Sequence, residues 1–268
     1  MALLGTLTSG VSALKTFGKS LEVIGNNIAN VNTTGYKSST TSFADTLGST
    51  LRSASPTESG LQVGTGVRIG TISTNFRQGS LTSTGNATDL AVSGSGYFLV
   101  RDSAGATYAT RDGAFHFDTN GNLLNAQNLS VLASDGTTPI TAAGYATAAS
   151  VSISSDGTIT TFAADGTPSV TTNQIGLLKI SDESKLMRSG SNLYDFTATG
   201  VDMTTDVGTP GSAALGLGRI HSGELEGSNV DLTEQFSDLI TSQRSFQAAS
   251  RLITVSDNVL EDVVNLKR

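Results

Sequence analysis

The chain has 268 residues, enough for one large domain or two smaller ones. Charged residues make up 15% and hydrophobic residues 37%, with 30 Gly, a composition that favours turns and β structure over a thick core. The net charge of −7 argues against a nucleic-acid partner, and the absence of Cys excludes disulfides, zinc–thiolate sites and thiol nucleophiles.

Near the N-terminus, Leu7, Leu14, Leu21 and Ile28 recur every seven residues, with Leu4 and Val11 on companion positions. Such a repeat marks a helix that packs along a helical partner. The predicted helix covers 3–31, about 29 residues and roughly 43 Å. Thr6, Ser9, Ser12 and Ser20 keep its other faces polar. Gly18 and Gly25 fall on the companion positions, where each weakens the helix by about 1 kcal/mol relative to Ala but lets a partner backbone approach. The apolar residues are spaced rather than contiguous and no basic start precedes them, so a cleavable signal peptide is not expected. Lys15, Lys19 and Glu22 interrupt any membrane span, and no direct membrane insertion is expected. The helix runs out in Asn26-Asn27-Ile28-Ala29-Asn30 and the turn-forming residues that follow.

Residues 32–66 read as an extended connector, with Phe43, Leu47 and Leu51 as isolated anchors. From 67 to 227 the pattern changes to a β-rich outer domain. Candidate strands are 67–72, 90–92, 97–101, 114–117, 129–132, 151–153, 158–162 and 175–180. Asp112-Gly113, Asn120-Gly121, Asp135-Gly136, Asp156-Gly157 and Asp165-Gly166 supply the positive φ angles of tight hairpins, so the domain is expected to be antiparallel. Residues 118–122 resemble the start of a calcium loop, but the acidic residue required at its twelfth position is Leu129, and the hairpin reading stands. His116 and His221 are far apart in sequence and have no catalytic neighbours in pattern. Gly94-Ser95-Gly96 and Gly216-Leu217-Gly218 lack the spacing of nucleotide-binding motifs. No catalytic residue, cofactor or metal site is predicted, and the chain reads as a non-enzyme.

Residues 228–268 form a second predicted helical segment. Leu232, Leu239, Phe246, Ile253 and Leu260 repeat every seven residues, with Phe236 and Val264 alongside. Asp231 or Ser228 can cap it, Glu234 completes a capping box with Asp231, and Lys267 and Arg268 suit its negative end. The fold class is therefore α+β. Residues 1–31 and 228–268 form long terminal helices packed together as a coiled-coil-like assembly domain, around a central antiparallel hairpin-rich β domain. A two-helix pair would leave Leu3, Phe17, Ile24, Ile240, Leu252 and Val259 off the stripes, which points to self-association.

Specific motifs sit beside these stripes. Asn26, Asn27, Asn30, Asn32, Gly35, Tyr36 and Lys37 lie within an N-terminal signature. Ser228, Asn229 and Val230, followed by Gln243 and Arg244, lie within a C-terminal one. Residues 78–92, Gly94-Ser95-Gly96-Tyr97-Phe98 and Thr110-Arg111-Asp112-Gly113-Ala114-Phe115 match in between. Together they resemble bacterial flagellar rod and hook axial proteins. The resemblance implies a subunit exported by the flagellar type III apparatus that polymerises into a hollow helical tube beyond the cytoplasmic membrane. Its partners would be itself, neighbouring rod proteins, the hook cap and the hook–filament junction. Residues 42–45 and 263–268 favour the flexible hook, with the rigid distal rod as the alternative. A secreted β-rich binding module with helical oligomerisation ends is a more distant reading.

Overall fold

A computed structural model describes residues 2–53, 59–142 and 144–265. Two compact units emerge. The helical unit gathers Met1–Asn30, Ser38–Asn75 and Val230–Arg268, and the β unit gathers Val31–Lys37 and Phe76–Asn229.

In the helical unit, α1 spans Ala2–Ala29 and α2 spans Leu232–Asn265. They run roughly 42 and 51 Å at 1.5 Å per residue. Asp231 Oδ1 accepts from the backbone N–H groups of Thr233 at 2.8 Å and Glu234 at 3.3 Å. Asp231 rather than Ser228 is thus the N-cap of α2. The expected placement of Lys267 and Arg268 lies outside the described residues.

The two helices are antiparallel neighbours. The hydroxyls of Thr6 and Ser256 lie 3.4 Å apart, and Asn27 Nδ2 donates to Gln235 Oε1 at 2.8 Å. Between these bonds, a Cβ added to Gly10 would meet Ile253 Cγ1 at 3.0 Å and Leu252 Cδ2 at 3.1 Å. Close approach therefore falls at Gly10. At Gly18 and Gly25, where it was expected, an added Cβ meets nothing within 4 Å.

A β ribbon packs on α1. Its strands are β1 (Ser39–Asp45), β2 (Ser49–Arg52), β3 (Leu61–Val63) and β4 (Val67–Thr74), paired antiparallel as β1 with β4 and β2 with β3. The polar residues of α1 hold this ribbon. Thr16 Oγ1 donates to the Val67 carbonyl at 3.2 Å, and the Val67 N–H donates to Ser12 Oγ at 3.2 Å. The hydroxyls of Ser20 and Thr41 are 3.1 Å apart. Asn27 grips the Ser39 backbone twice, donating to its carbonyl at 2.7 Å and accepting from its N–H at 2.9 Å. Phe17 meets Phe43 edge-on, with ring centroids 5.7 Å apart.

These contacts correct two expectations. Among the described residues, the buried positions of α1 are Gly10, Thr16, Ser20, Ile24 and Asn27, while Leu7, Leu14, Leu21 and Ile28 are only half-buried, so the coiled-coil packing expected along that stripe is not confirmed. In α2 the expected stripe is divided: Leu239, Ile253 and Leu260 are half-buried, whereas Leu232 and Phe246 are exposed, and the covered side runs instead through Gln235, Ser242, Ala249 and Ser256. Residues 38–66 also differ from a connector. β4, expected in the β domain, pairs with β1, while the expected anchors Leu47 and Leu51 are exposed.

The β unit is built around the strand 97–101. Phe98 and Val100 enter one apolar cluster with Leu90, Phe115, Ile159, Ile175 and Leu177, whereas Tyr97 and Leu99 enter another with Leu132, Leu178 and Tyr194. A strand buried on both faces reads as a continuous apolar run, which is what Tyr97-Phe98-Leu99-Val100 is. Phe98 and Phe115 cross at 89° with centroids 5.1 Å apart. A nine-stranded antiparallel sheet carries this strand. Its path runs 187–190, 193–195, 107–110, 97–101, 130–131, 123–125 and 115–117, with 177–178 joining 97–101 to 207–208. Strands 148–153, 159–163 and 168–170 form a separate three-stranded sheet.

The hairpin reading holds for four of the five turn dipeptides. Gly121, Gly136, Gly157 and Gly166 have φ between +68° and +82°. Gly113 does not turn a hairpin. A Cβ there would fall 1.6 Å from the Leu90 carbonyl oxygen, so its role is to let two backbones touch.

Asp118, Asp135 and Asp165, which sit in these turns, have carboxyls held below the ordinary aspartate range. At Asp135 slight burial opposes ionisation, but the N–H groups of Thr138 and Thr137 and the Thr138 hydroxyl hold the carboxyl at about 2. This folded value lies below the unfolded one, so the stabilisation is fully present above about pH 4 and is lost as pH falls through about 2. Asp135→Ala is expected to lower the melting temperature at pH 7, with the difference from wild type shrinking steadily from pH 4 to pH 2. A pH-independent difference would count against the account. Separately, Gly10→Val should destabilise α1 against α2 by about 1–3 kcal/mol through overpacking. Gly25→Ala should stabilise the monomer's helix by up to about 1 kcal/mol. Thermal circular dichroism of the two variants reads both effects.

Candidate assembly interface

Leu7, Leu14, Leu21 and Ile28 are half-buried and Val11 is exposed, while the Leu4 side chain lies outside the described residues. On α2, Leu239, Ile253 and Leu260 are half-buried. Leu232, Phe236, Phe246 and Val264 are exposed, Phe236 to 50%. Ile240, Leu252 and Val259, expected off the main stripe, are exposed as well. Val255, exposed to 60%, was missed by the sequence reading. It stands three residues after Leu252 and four before Val259, so these three form a second stripe that a helical period reveals.

The ribbon adds Phe43, Leu47, Leu51, Leu61, Val63 and Ile72 to this exposed surface. Leu51, Val63 and Leu252, with Gly5, Thr6 and Ser9, line an apolar groove of about 620 Å³. Among the described residues, the β unit exposes only Val170 and Met187 of its large apolar side chains. Exposed apolar area is thus concentrated in the helical unit. Full burial of one such side chain against a partner would be worth roughly 1.5–3 kcal/mol.

The signature residues do not form one patch. Asn30 Nδ2 donates to the Asn26 carbonyl at 2.9 Å and to Asn26 Oδ1 at 2.7 Å, closing the end of α1. Asn27 is buried in the α1–α2–ribbon contact, whereas Asn32 is exposed in the following turn. Gln243 and Arg244 are exposed on α2. Val230 is half-buried in the helical unit.

Gly35, Tyr36, Lys37, Ser228 and Asn229 belong to the β unit. Gly35 has φ +66°, and a Cβ there would meet the Asp112 nitrogen at 2.7 Å, so glycine is required on both counts. Its N–H donates to the Glu226 carbonyl at 2.8 Å. The Arg188 guanidinium sits 4.9 Å from the Tyr36 ring centroid and also donates to the Lys37 carbonyl. The Tyr36 carbonyl accepts from the Asn229 N–H at 3.3 Å, and Asn229 Nδ2 donates to the Arg77 carbonyl at 2.9 Å. Ser228 is half-buried beside Asn229.

At the centre lies an ion cluster that sequence reading did not pair. Lys37 Nζ donates to Glu226 Oε1 at 2.5 Å and to the Arg77 carbonyl at 2.9 Å. Both charged side chains are 0% exposed. Glu226 Oε1 also accepts from the Gly79 N–H at 2.9 Å, and Oε2 accepts from Arg111 Nη1 at 3.3 Å. Arg111 in turn donates to the Gly94 carbonyl at 2.8 Å and lies 4.9 Å from the centroid of the Tyr97 ring. Burial pushes the Lys37 ammonium below the ordinary lysine range, and the Glu226 charge opposes that shift. Such an amine is enclosed and hydrogen-bonded in place, which suits a structural ion pair. His116 is exposed, and His221 Nδ1 is 3.7 Å from Glu224.

Comparison with known proteins places these features. Residues 7–37 match the family model described as flagella basal body rod protein. Residues 91–161 match that of the flagellar hook protein FlgE/F/G D1 domain, and 221–266 that of the flagellar basal body rod FlgEFG protein C-terminal. The flagellar basal-body rod protein FlgG of Bacillus subtilis is 39% identical over 280 aligned residues, covering 99% of this chain and 100% of that protein. FlgG of Agrobacterium fabrum is 32% identical, covering 100% of each. The flagellar hook protein FlgE of Helicobacter mustelae is 45% identical, but over 46% of this chain and 29% of that protein. The expected preference for hook over rod finds no support in these relatives. With similarity along its whole length, the chain belongs to the flagellar basal-body rod and hook family, whose members are structural components of the flagellum and not enzymes.

Proposed function

We propose that the chain is a subunit of the distal flagellar rod that polymerises with copies of itself into a hollow, rigid tube. The half-buried apolar stripe of α1 and the exposed apolar side chains of α2 would be the contact faces. The concentration of exposed apolar side chains in the helical unit carries the assembly part of this reading. The full-length similarity to rod proteins favours the rod over the hook. Neighbouring axial proteins are the natural further partners. The flagellar export apparatus would deliver the chain, whose apolar segments include no helix long and apolar enough to cross a membrane among the described residues.

In this reading Leu7, Val11, Leu14, Leu21 and Ile28 meet neighbours, as do Leu232, Phe236, Phe246 and Val264. Leu239, Ile253 and Leu260 serve both the helix pair and its neighbours. Electron microscopy of the concentrated protein tests the idea. Straight tubes are expected, and supercoiled ones would restore the hook reading. Phe236→Ser with Val255→Ser should abolish tubes while shifting the monomer's melting temperature little, because both side chains are already exposed. Tubes forming as readily as wild type would remove these faces from the interface.

A further inference from the structure

We propose that Glu226 is the closing charge of the β unit, so that this unit cannot fold until the chain is complete through residue 226. The argument starts from chain order. Lys37 and Arg111 precede Glu226 by 189 and 115 residues. Both are buried in the finished unit. Glu226 is the carboxylate that bridges them, at 2.5 and 3.3 Å. The carboxylate of Glu183 acts on Lys37 more weakly and accepts the Tyr97 hydroxyl at 2.8 Å. Burying two cations without a counter-charge is strongly unfavourable, so the apolar clusters close against that cost until Glu226 arrives.

The backbone repeats the dependence. Strand 224–226 pairs with 81–83, and strand 219–222 pairs with 90–93. The Glu226 carbonyl receives Gly35, and its carboxylate receives Gly79. The carboxylate thus joins Lys37, Gly79 and Arg111 to strand 224–226 at one point, and among the described residues only 227–229 of the β unit follow it. Lys37 and Gly35, read from sequence as part of a family signature, act here inside the β unit. This holds whatever the chain assembles into.

The test uses the full chain in three forms: wild type, E226Q, and K37M/R111M/E226M. Hydrogen exchange followed strand by strand should show E226Q raising the opening equilibrium on the order of a hundredfold or more. The effect should extend to 97–101 and 107–110, beyond the cluster itself. E226Q should slow refolding from denaturant and change unfolding little, since the pair forms by the transition state. The triple variant, which has no charge to match, should recover protection and refold at least as fast as wild type. The proposal is overturned by E226Q loosening confined to 35–37, 77–79 and 224–227. An effect on unfolding alone, or a triple variant that stays unprotected, overturns it equally.

Discussion

One buried carboxylate organises the β unit. Glu226 holds two cations, a backbone N–H and, through its own carbonyl, the glycine that turns the chain into Lys37. The residues it gathers come from just after α1, from the first strands of the β unit and from just before α2. A buried ion pair is weak evidence of net stability, because desolvation offsets most of the attraction. Its value lies in selectivity, since a wrong arrangement of these segments strands a charge in an apolar interior. The apolar clusters around Phe98 and Tyr97 supply driving force, and the charge cluster supplies uniqueness.

The helical unit solves a different problem. Here α1 has a polar side that is buried and an apolar side that is partly open, the reverse of an ordinary surface helix. The inversion is possible because Ser12, Thr16, Ser20 and Asn27 find hydroxyl and backbone partners in the ribbon. Each satisfied bond contributes only about 0.5–1.5 kcal/mol. The ribbon is therefore held by many small polar terms beside the Phe17–Phe43 contact, while many large apolar side chains of the unit stay exposed.

The sequence revealed what periodicity controls. The end of α1, the start of α2 and its cap at Asp231, the central apolar strand and four positive-φ glycine turns could all be read from local pattern. Strands 187–190 and 193–195 were missed because their turn uses Ser191 and Asn192, both at positive φ, without the usual glycine. The ribbon was missed because Ser and Thr on α1 look like a solvent face until a partner appears. Lys37 was noticed as a motif residue, yet its partner lies 189 residues away, and no local rule connects them. The signal available was isolation at Lys37, the single charge between Glu22 and Asp45.

The concentration of exposed apolar side chains in the helical unit has a thermal consequence. Contacts made by uncharged apolar helix faces form with a negative heat-capacity change and draw on water's entropy near room temperature. Cooling weakens such contacts, and excluded solutes such as sulfate strengthen them, while modest changes in ionic strength leave them nearly untouched. A polymer held this way is a cold-labile, salt-tolerant material whose cohesion peaks in warm surroundings.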